Sequence, residues 1–298
     1  MKKKAIIEKT ARIIFLVCAV IAIFAVCSIT VYMFIKGAPA LKKVGVSDLL
    51  FSNKWQPTAK DPSYGILYII LSSIVATAVS VLIGVPIGLL TAVFLSEMAG
   101  KKVGNIVGST VELLAAIPSV IYGLIGMMVL NPFMYKLEKS IFAGDSSHQF
   151  TGGSNLMSAI IVLAIMILPT VISISTSSLK AVNGSLRSAS LALGATKIQT
   201  IFKVVIPSAK SGILTGVVLG IGALGEAMAI NMVAGGAVNL PLPFNSVRTL
   251  TTQIVSEMGY SSGLHRQVLF TVGLVLYIFI MIVNYLLLKA RRKGCMDE

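Results

Sequence analysis

The sequence predicts an all-α integral membrane protein of six transmembrane helices, and three observations carry that prediction. Of its 298 residues 56% are hydrophobic and only 12% charged, against roughly 25% charged in a soluble domain. Mean hydropathy is +0.91. Six stretches that lack, or nearly lack, Asp, Glu, Lys and Arg are each long enough to cross a hydrocarbon core about 30 Å thick at about 1.5 Å per residue. This excludes a water-soluble globular fold and leaves little chain for a separate module. The net charge of +14 would suggest a nucleic-acid partner in a soluble chain. Here the basic residues flank apolar runs, so the charge reads as membrane topology and no nucleic acid is expected.

Residues 1–12 form a basic N-terminus with Lys2, Lys3, Lys4, Lys9 and Arg12. The apolar run that follows, 13–35, is too long for the core of a secretory signal and is read as a retained first helix. An outer loop, 36–65, precedes the core of five further spans over 66–288. Those spans are placed at 66–95, 113–135, 155–179, 211–235 and 267–288, with 211–235 interrupted only by Glu226. Run 66–95 exceeds the need and is expected to tilt, extend beyond the membrane or bend at Pro86. Pro118 and Pro169 are expected to break the third and fourth spans. Residues 289–298 form a basic tail. With both ends inside, 16 of the 25 Lys and Arg fall on the inner side, as the positive-inside rule asks.

Metal and hydrolytic chemistry find little support. His148 and His265 have no second ligand at metal spacing. Cys18 and Cys27 face opposite sides of a helix and cannot bridge each other. No Gly-x-x-x-x-Gly-Lys-Ser/Thr phosphate loop occurs, so any nucleotide hydrolysis belongs to another chain.

The most informative segment is the inner loop 180–210, which has five basic residues and no acidic one. A mere connector seldom needs about 30 residues. Small residues around Ser188, Ala189 and Ser190 lead to Gly194, a helix-ending glycine, and later Pro207. Two readings stand: a basic amphipathic helix resting on anionic lipid headgroups, or a small-residue helix that docks into a groove of a partner.

Here the residues resemble a known family. Bacterial ABC importer permeases carry Glu-Ala-Ala, three residues, Gly, nine residues, Ile, one residue, Leu-Pro. Ser188-Ala189-Ser190, Gly194, then Val204, Ile206 and Pro207 stand at that spacing, with Ser188 in place of the glutamate. Residues 112–123, 190–197, 228–235, 248–251, 257–260 and 263–266 further resemble the PstC-type permease subunit of the phosphate ABC importer, over about 55–288. The resemblance implies a type I importer permease of MetI-like fold in a bacterial cytoplasmic membrane, non-catalytic and moving inorganic phosphate by alternating access. It also implies partners: a PstA-like second permease, two ATPase subunits carrying ATP and Mg, and an extracytoplasmic phosphate-binding protein. Ser188, Ala189, Ser190, Gly194 and Pro207 would couple to the ATPase.

Glu226 is the one acid deep in a span, where a carboxylate costs about 2.5–3.5 kcal/mol on insertion scales unless it is paired, protonated or wet. It is read as a pathway or gate residue or as a helix-packing polar group. The PstC-type family commonly has an arginine four residues earlier, and here that position is Gly222. Ser119, Tyr122, Ser72, Ser73, Thr77, Ser80 and the hydroxyls within 170–177 are further pathway candidates, although such hydroxyls more often bond their own backbone. Gly212, Gly216 and Gly220 form a stripe for close helix packing, against this chain or against the partner permease. The outer segment 236–266 is read as partly helical, touching the binding protein or packing on its own bundle. A permease for another oxyanion (phosphonate, sulfate, molybdate or tungstate) and a stand-alone carrier or membrane sensor remain open alternatives.

Overall fold

The computed structural model describes residues 2–144, 148–223 and 227–296. Glu226 lies outside the described residues, so the structure says nothing of its surroundings. Among the described residues five helices are long and apolar enough to cross a membrane, or six when the bent pair Lys197–Ser208 and Lys210–Gly222 is taken as one span.

Helix α1 (Lys2–Val44) is longer than the 13–35 run and takes up the start of the supposed outer loop, carrying Pro39 within it. Gly45, at φ 86°, stops it: the glycine occupies the left-handed region and its N–H returns to the Leu41 carbonyl at 3.1 Å, a cap that a side chain would strain. The rest of that loop is structured too. Helix α2 (Val46–Phe51) is followed by antiparallel strands β1 (Trp55–Gln56) and β2 (Ser63–Tyr64), with Trp55 opposite Tyr64.

The second span, α3 (Leu67–Val93), continues into a π-helical turn, Phe94–Met98, and Pro86 does not interrupt it. The third span starts later than the apolar run implies. Helix α4 (Lys101–Ala115) is a separate amphipathic helix. The chain breaks at 116–118 because a residue before proline is pushed out of helical geometry. Pro118 then stands as the N-cap of α5 (Ser119–Ile125), so it opens the span instead of breaking it. A π turn, Gly126–Leu130, and α6 (Asn131–Ile141) complete the crossing.

Helix α7 (Leu156–Lys180) is the central span. Asn155 caps it by accepting the Ser158 N–H at 3.0 Å. Pro169 lies inside α7 without ending it; the one lost backbone bond is outweighed by packing on both flanks. On one flank α3 runs parallel to it: a Cβ on Gly84 would sit 2.6 Å from Ile167, and one on Gly88 would sit 2.8 Å from Val171. The loop 180–210 holds α8 (Gly184–Ala192), α9 (Lys197–Thr200), a π turn Ile201–Val205 and α10 (Ile206–Ser208). A 69° bend then leads into α11 (Lys210–Ala223), which returns antiparallel along the other flank of α7. Helix α12 (Ala227–Val233) packs on α5, where Cβ atoms on Gly123 and Gly126 would crowd Met232 and Val233. Helix α13 (Leu250–Glu257) lies at the far end, and α14 (Gly263–Met296) closes the bundle against α1, Thr271 donating to the Gly37 carbonyl at 2.9 Å.

Candidate functional site: the inner loop and the polar positions of the bundle

The loop 180–210 is built by local capping. Asn183 accepts the Ser185 N–H at 3.0 Å and starts α8. Its end is a Schellman closure: Gly194 takes φ 84°, its N–H reaches Leu191 at 3.0 Å, and the Ala195 N–H reaches Ser190 at 3.2 Å, satisfying carbonyls that the helix end leaves unpaired. Thr196 and Gln199 then form a capping box for α9, each side chain accepting from the other's backbone. Beyond it Pro207 lies within α10, just before the bend at Ala209.

These caps hold out a tip rather than bury it. No residue of α8 is buried, and Leu193 is 89% exposed. Ser188 and Ala189 are exposed; the Ser188 hydroxyl bonds its own helix at Gly184, 3.2 Å. Ser190 is half-buried, its hydroxyl 2.9 Å from that of Thr200. The tip thus gathers Ser188, Ala189, Ser190 and Gly194, whereas Pro207 stands apart at the elbow. Leu191, Leu193 and Ile198 are exposed in the same short stretch, an apolar knob of the kind that marks an interaction surface.

Sequence reasoning missed the group that ties this tip to the bundle. Arg187 donates from Nε and Nη2 to the Glu97 carboxylate at 3.2 and 2.7 Å, from Nη2 to the Leu179 carbonyl at 2.8 Å, and from Nη1 to the Val182 carbonyl at 2.6 Å. Glu97 ends the second span and Leu179 lies in the last turn of the fourth. The available signal was an acid just past an apolar run, matched by a loop of bases without an acid of its own.

Within the bundle, a cavity of about 110 Å³ lies among α3, α7, α11, α13 and α14. Ser73, Thr77, Thr249, Thr251 and Asn284 are its polar lining, set among apolar side chains. Two of them are pathway candidates from the sequence, yet Ser73 is occupied: its hydroxyl donates to Ile69 and accepts from the Leu250 N–H, both at 2.9 Å. Ser80 donates to the Ile160 carbonyl at 3.1 Å. Ser119 opens α5 half-buried. The Tyr122 hydroxyl donates to the Leu114 carbonyl at 2.8 Å, stapling α5 to α4 across Pro118. Ser72 and Ser175 are fully buried, and their hydroxyls find no partner among the described residues.

The glycine stripe faces α7. A Cβ on Gly212 would stand 2.6 Å from the Ser178 Cβ, one on Gly216 would stand 3.2 Å from Ile174, and one on Gly220 would stand 3.1 Å from Val171. That face is filled by this chain's own fourth span.

At the far end two buried carboxylates organise the surface. Glu257 Oε2 accepts from Trp55 Nε1 at 3.0 Å and lies 2.8 Å from His265 Nε2, and its Oε1 accepts from Arg248. Arg248 also donates to the Gly236 carbonyl at 2.7 Å and to Gln253 at 3.0 Å. Burial pushes the Tyr64 phenol above its ordinary pKa. Glu138, fully buried, holds His148 at 2.9 Å and the Thr151 N–H at 3.0 Å. The segment 236–266 therefore contains a helix, as expected, and Arg248, Glu257 and His265 turn inward onto Trp55, bordering an open groove of about 760 Å³. Among the described residues no three His, Cys, Asp or Glu side chains gather to hold a metal.

Comparison with known proteins gives these features a setting. Residues 84–293 match the family described as binding-protein-dependent transport system inner membrane component. The chain is 39% identical over 296 residues to the probable ABC transporter permease protein YqgH of Bacillus subtilis, covering 96% of this chain and 92% of that one. It is 32% identical over 291 residues to the phosphate transport system permease protein PstC of Xylella fastidiosa, covering 91% and 87%. Among solved structures it is similar to a chain of a bacterial alginate ABC transporter in complex with an alginate pentasaccharide-bound periplasmic protein, at TM-score 0.59, 16% identity and coverage of 89% and 92%. It is also similar to a chain of the inward-facing MetNI methionine ABC transporter, at TM-score 0.52, 21% identity and coverage of 77% and 94%. At these identities the two structures speak for the fold alone.

Proposed function

The chain belongs to the family of binding-protein-dependent transport system inner membrane components, and from that premise we propose that it is the permease subunit of an ATP-driven importer of inorganic phosphate. It pairs with a PstA-like second permease and with two ATPase subunits that hold ATP and Mg. An extracytoplasmic binding protein delivers the anion. Both termini and the loop 180–210 face the cytoplasm.

The observation that carries this reading is the exposed tip of α8. A small-residue helix without a buried residue, ending in an 89%-exposed leucine, suits a protein groove better than a bilayer surface, where apolar side chains line one face along the helix. ATP closing the ATPase dimer would displace this tip and rock the bundle between its two openings. Ser188 and Ala189 are the docking contacts, Ser190 and Gly194 shape the tip, and Pro207 sets the elbow.

The interior chemistry supports a division of labour. The apolar runs 13–35, 66–95, 113–135, 155–179, 211–235 and 267–288 hold no Lys or Arg, and four hydroxyls and one amide in a largely apolar cavity do not compensate a multiply charged anion, which needs cations or clustered N–H donors. Selection thus falls to the binding protein, and the path falls to the interface with the second permease. Glu226, Ser119 and Tyr122 are the residues we assign to that path or its gate.

The test is uptake of labelled phosphate by the reconstituted complex in proteoliposomes. Uptake that requires ATP and the binding protein and is not competed by sulfate, molybdate or phosphonate is expected. Uptake by the chain alone on an ion gradient would overturn the importer reading, and displacement by another oxyanion would overturn the phosphate assignment.

A further inference from the structure

Glu97 and Arg187 form one polar junction where three elements end. We propose that this pair is the strut through which displacement of the α8 tip reaches the second and fourth spans, with Arg187 the positioning residue and Glu97 its holder. The inference rests on the coupling role proposed above for α8.

Three facts single the junction out. First, α8 has no buried residue, so apolar packing does not hold it to the bundle. Its bonds elsewhere are a hydroxyl contact to Thr200 and the backbone caps at its own ends. Second, the Arg187 guanidinium reaches three elements at once: the Glu97 carboxylate on the π turn that ends the second span, the Leu179 carbonyl in the last turn of α7, and the Val182 carbonyl of the linker. Third, both ends are rigid where they attach. Leu179 is fully buried with Ala92, Val93, Ile201 and Val205 in one cluster, and the Glu97 side chain is only 9% exposed.

The chemistry explains why arginine suits the position. The Leu179 carbonyl belongs to the end of α7, whose last acceptors carry partial negative charge, and the Val182 carbonyl lies just beyond that end. A planar fork presents parallel N–H groups to a carboxylate while its remaining donors reach those carbonyls, and a lysine ammonium offers no such fixed geometry. A bidentate pair resists rotation as well as separation, which is the property a strut needs. Without Arg187 the tip still docks but moves without carrying the span ends with it.

The experiment measures two quantities on Glu97→Gln and Arg187→Lys in the full complex. One is phosphate moved per ATP hydrolysed; the other is amide hydrogen exchange over residues 184–192. We expect phosphate moved per ATP to fall by about tenfold, inside the range that coupling between sites carries, with ATP hydrolysis retained and α8 exchange accelerated. The exchanged pair Glu97→Arg with Arg187→Glu should stay uncoupled, because a carboxylate at 187 has no donor for the Leu179 and Val182 carbonyls; full recovery by the exchange would overturn the three-way junction. Wild-type stoichiometry and exchange in both single variants would overturn the strut, as would parallel loss of hydrolysis and uptake in an assembled complex. Absence of ATP-driven uptake by the unaltered complex would instead overturn the importer reading.

Discussion

The indole N–H of Trp55 points at the carboxylate of Glu257, 3.1 and 3.0 Å from its two oxygens, across 202 positions of sequence. This one acceptor also holds Arg248 and His265, so the segment between α2 and α3, α13 and the start of α14 share a single buried carboxylate. Replacing Glu257 by Ala leaves three donors without it. A buried charge-assisted bond contributes about 1.5–3 kcal/mol, so Glu257→Ala should lower the melting temperature of the solubilised chain clearly more than Tyr260→Ala, at an exposed neighbour. Equal melting of the two variants would count against the hub.

The stripe against α7 makes a sharp contrast between glycines of one helix. A Cβ at Gly212 would collide with the Ser178 side chain, whereas one at Gly222 meets nothing within 4 Å. Overpacking costs about 1–3 kcal/mol. Gly212→Val should therefore depress yield and thermal stability, and Gly222→Ala should leave both unchanged. Fluorescence size-exclusion melting curves separate the outcomes.

The tip of α8 is tested by backbone and by surface. Gly194 sits at φ 84°, and a residue with a Cβ pays about 1–2 kcal/mol there. Gly194→Val should fray the end of α8 and reduce copurification of the ATPase, whereas Gly184→Ala, with open space around it, should not. Leu193→Asp should leave the isolated chain as stable as before, because the side chain is 89% exposed, yet weaken ATPase capture by about tenfold, the loss of one interface contact of about 1.4 kcal/mol. Unchanged capture by Leu193→Asp would place the docking surface elsewhere.

Glu226 is argued from sequence alone. A carboxylate in an apolar span is costly and is retained for function more often than for packing. Glu226→Gln should abolish ATP-driven uptake in vesicles while the subunits still copurify, and normal uptake would remove the residue from the pathway.

What the sequence made legible follows from range. Runs without charge disclose the spans because burial of charge in hydrocarbon is costly wherever it occurs, and the glycine of α8 is legible because only its backbone freedom matters. The ends of elements were less so. The apolar run through 113–135 crosses Pro118, and hydropathy cannot see that the proline starts a helix there. Likewise the run ending at 35 understates α1, whose stop is set by Gly45 ten residues further on. The junction of Glu97 with Arg187, and that of Glu257 with Trp55, join residues 90 and 202 positions apart, and no local pattern announces such a pairing. Among the hydroxyls marked for the pathway, Ser73, Ser80, Tyr122 and Ser177 are spoken for by backbone carbonyls, a choice that composition and spacing do not reveal.

Helix α7 is hemmed on two flanks, by Gly84 and Gly88 from α3 and by Gly212, Gly216 and Gly220 from α11. Ile167 and Val171 meet glycines from both sides. Neither neighbour can slide without driving backbone into those branched side chains, so α3, α7 and α11 behave as a keel that turns as one piece. Opening and closing then belong to the joints around it: the Pro118 break, the elbow after Pro207, and the seam between α1 and α14.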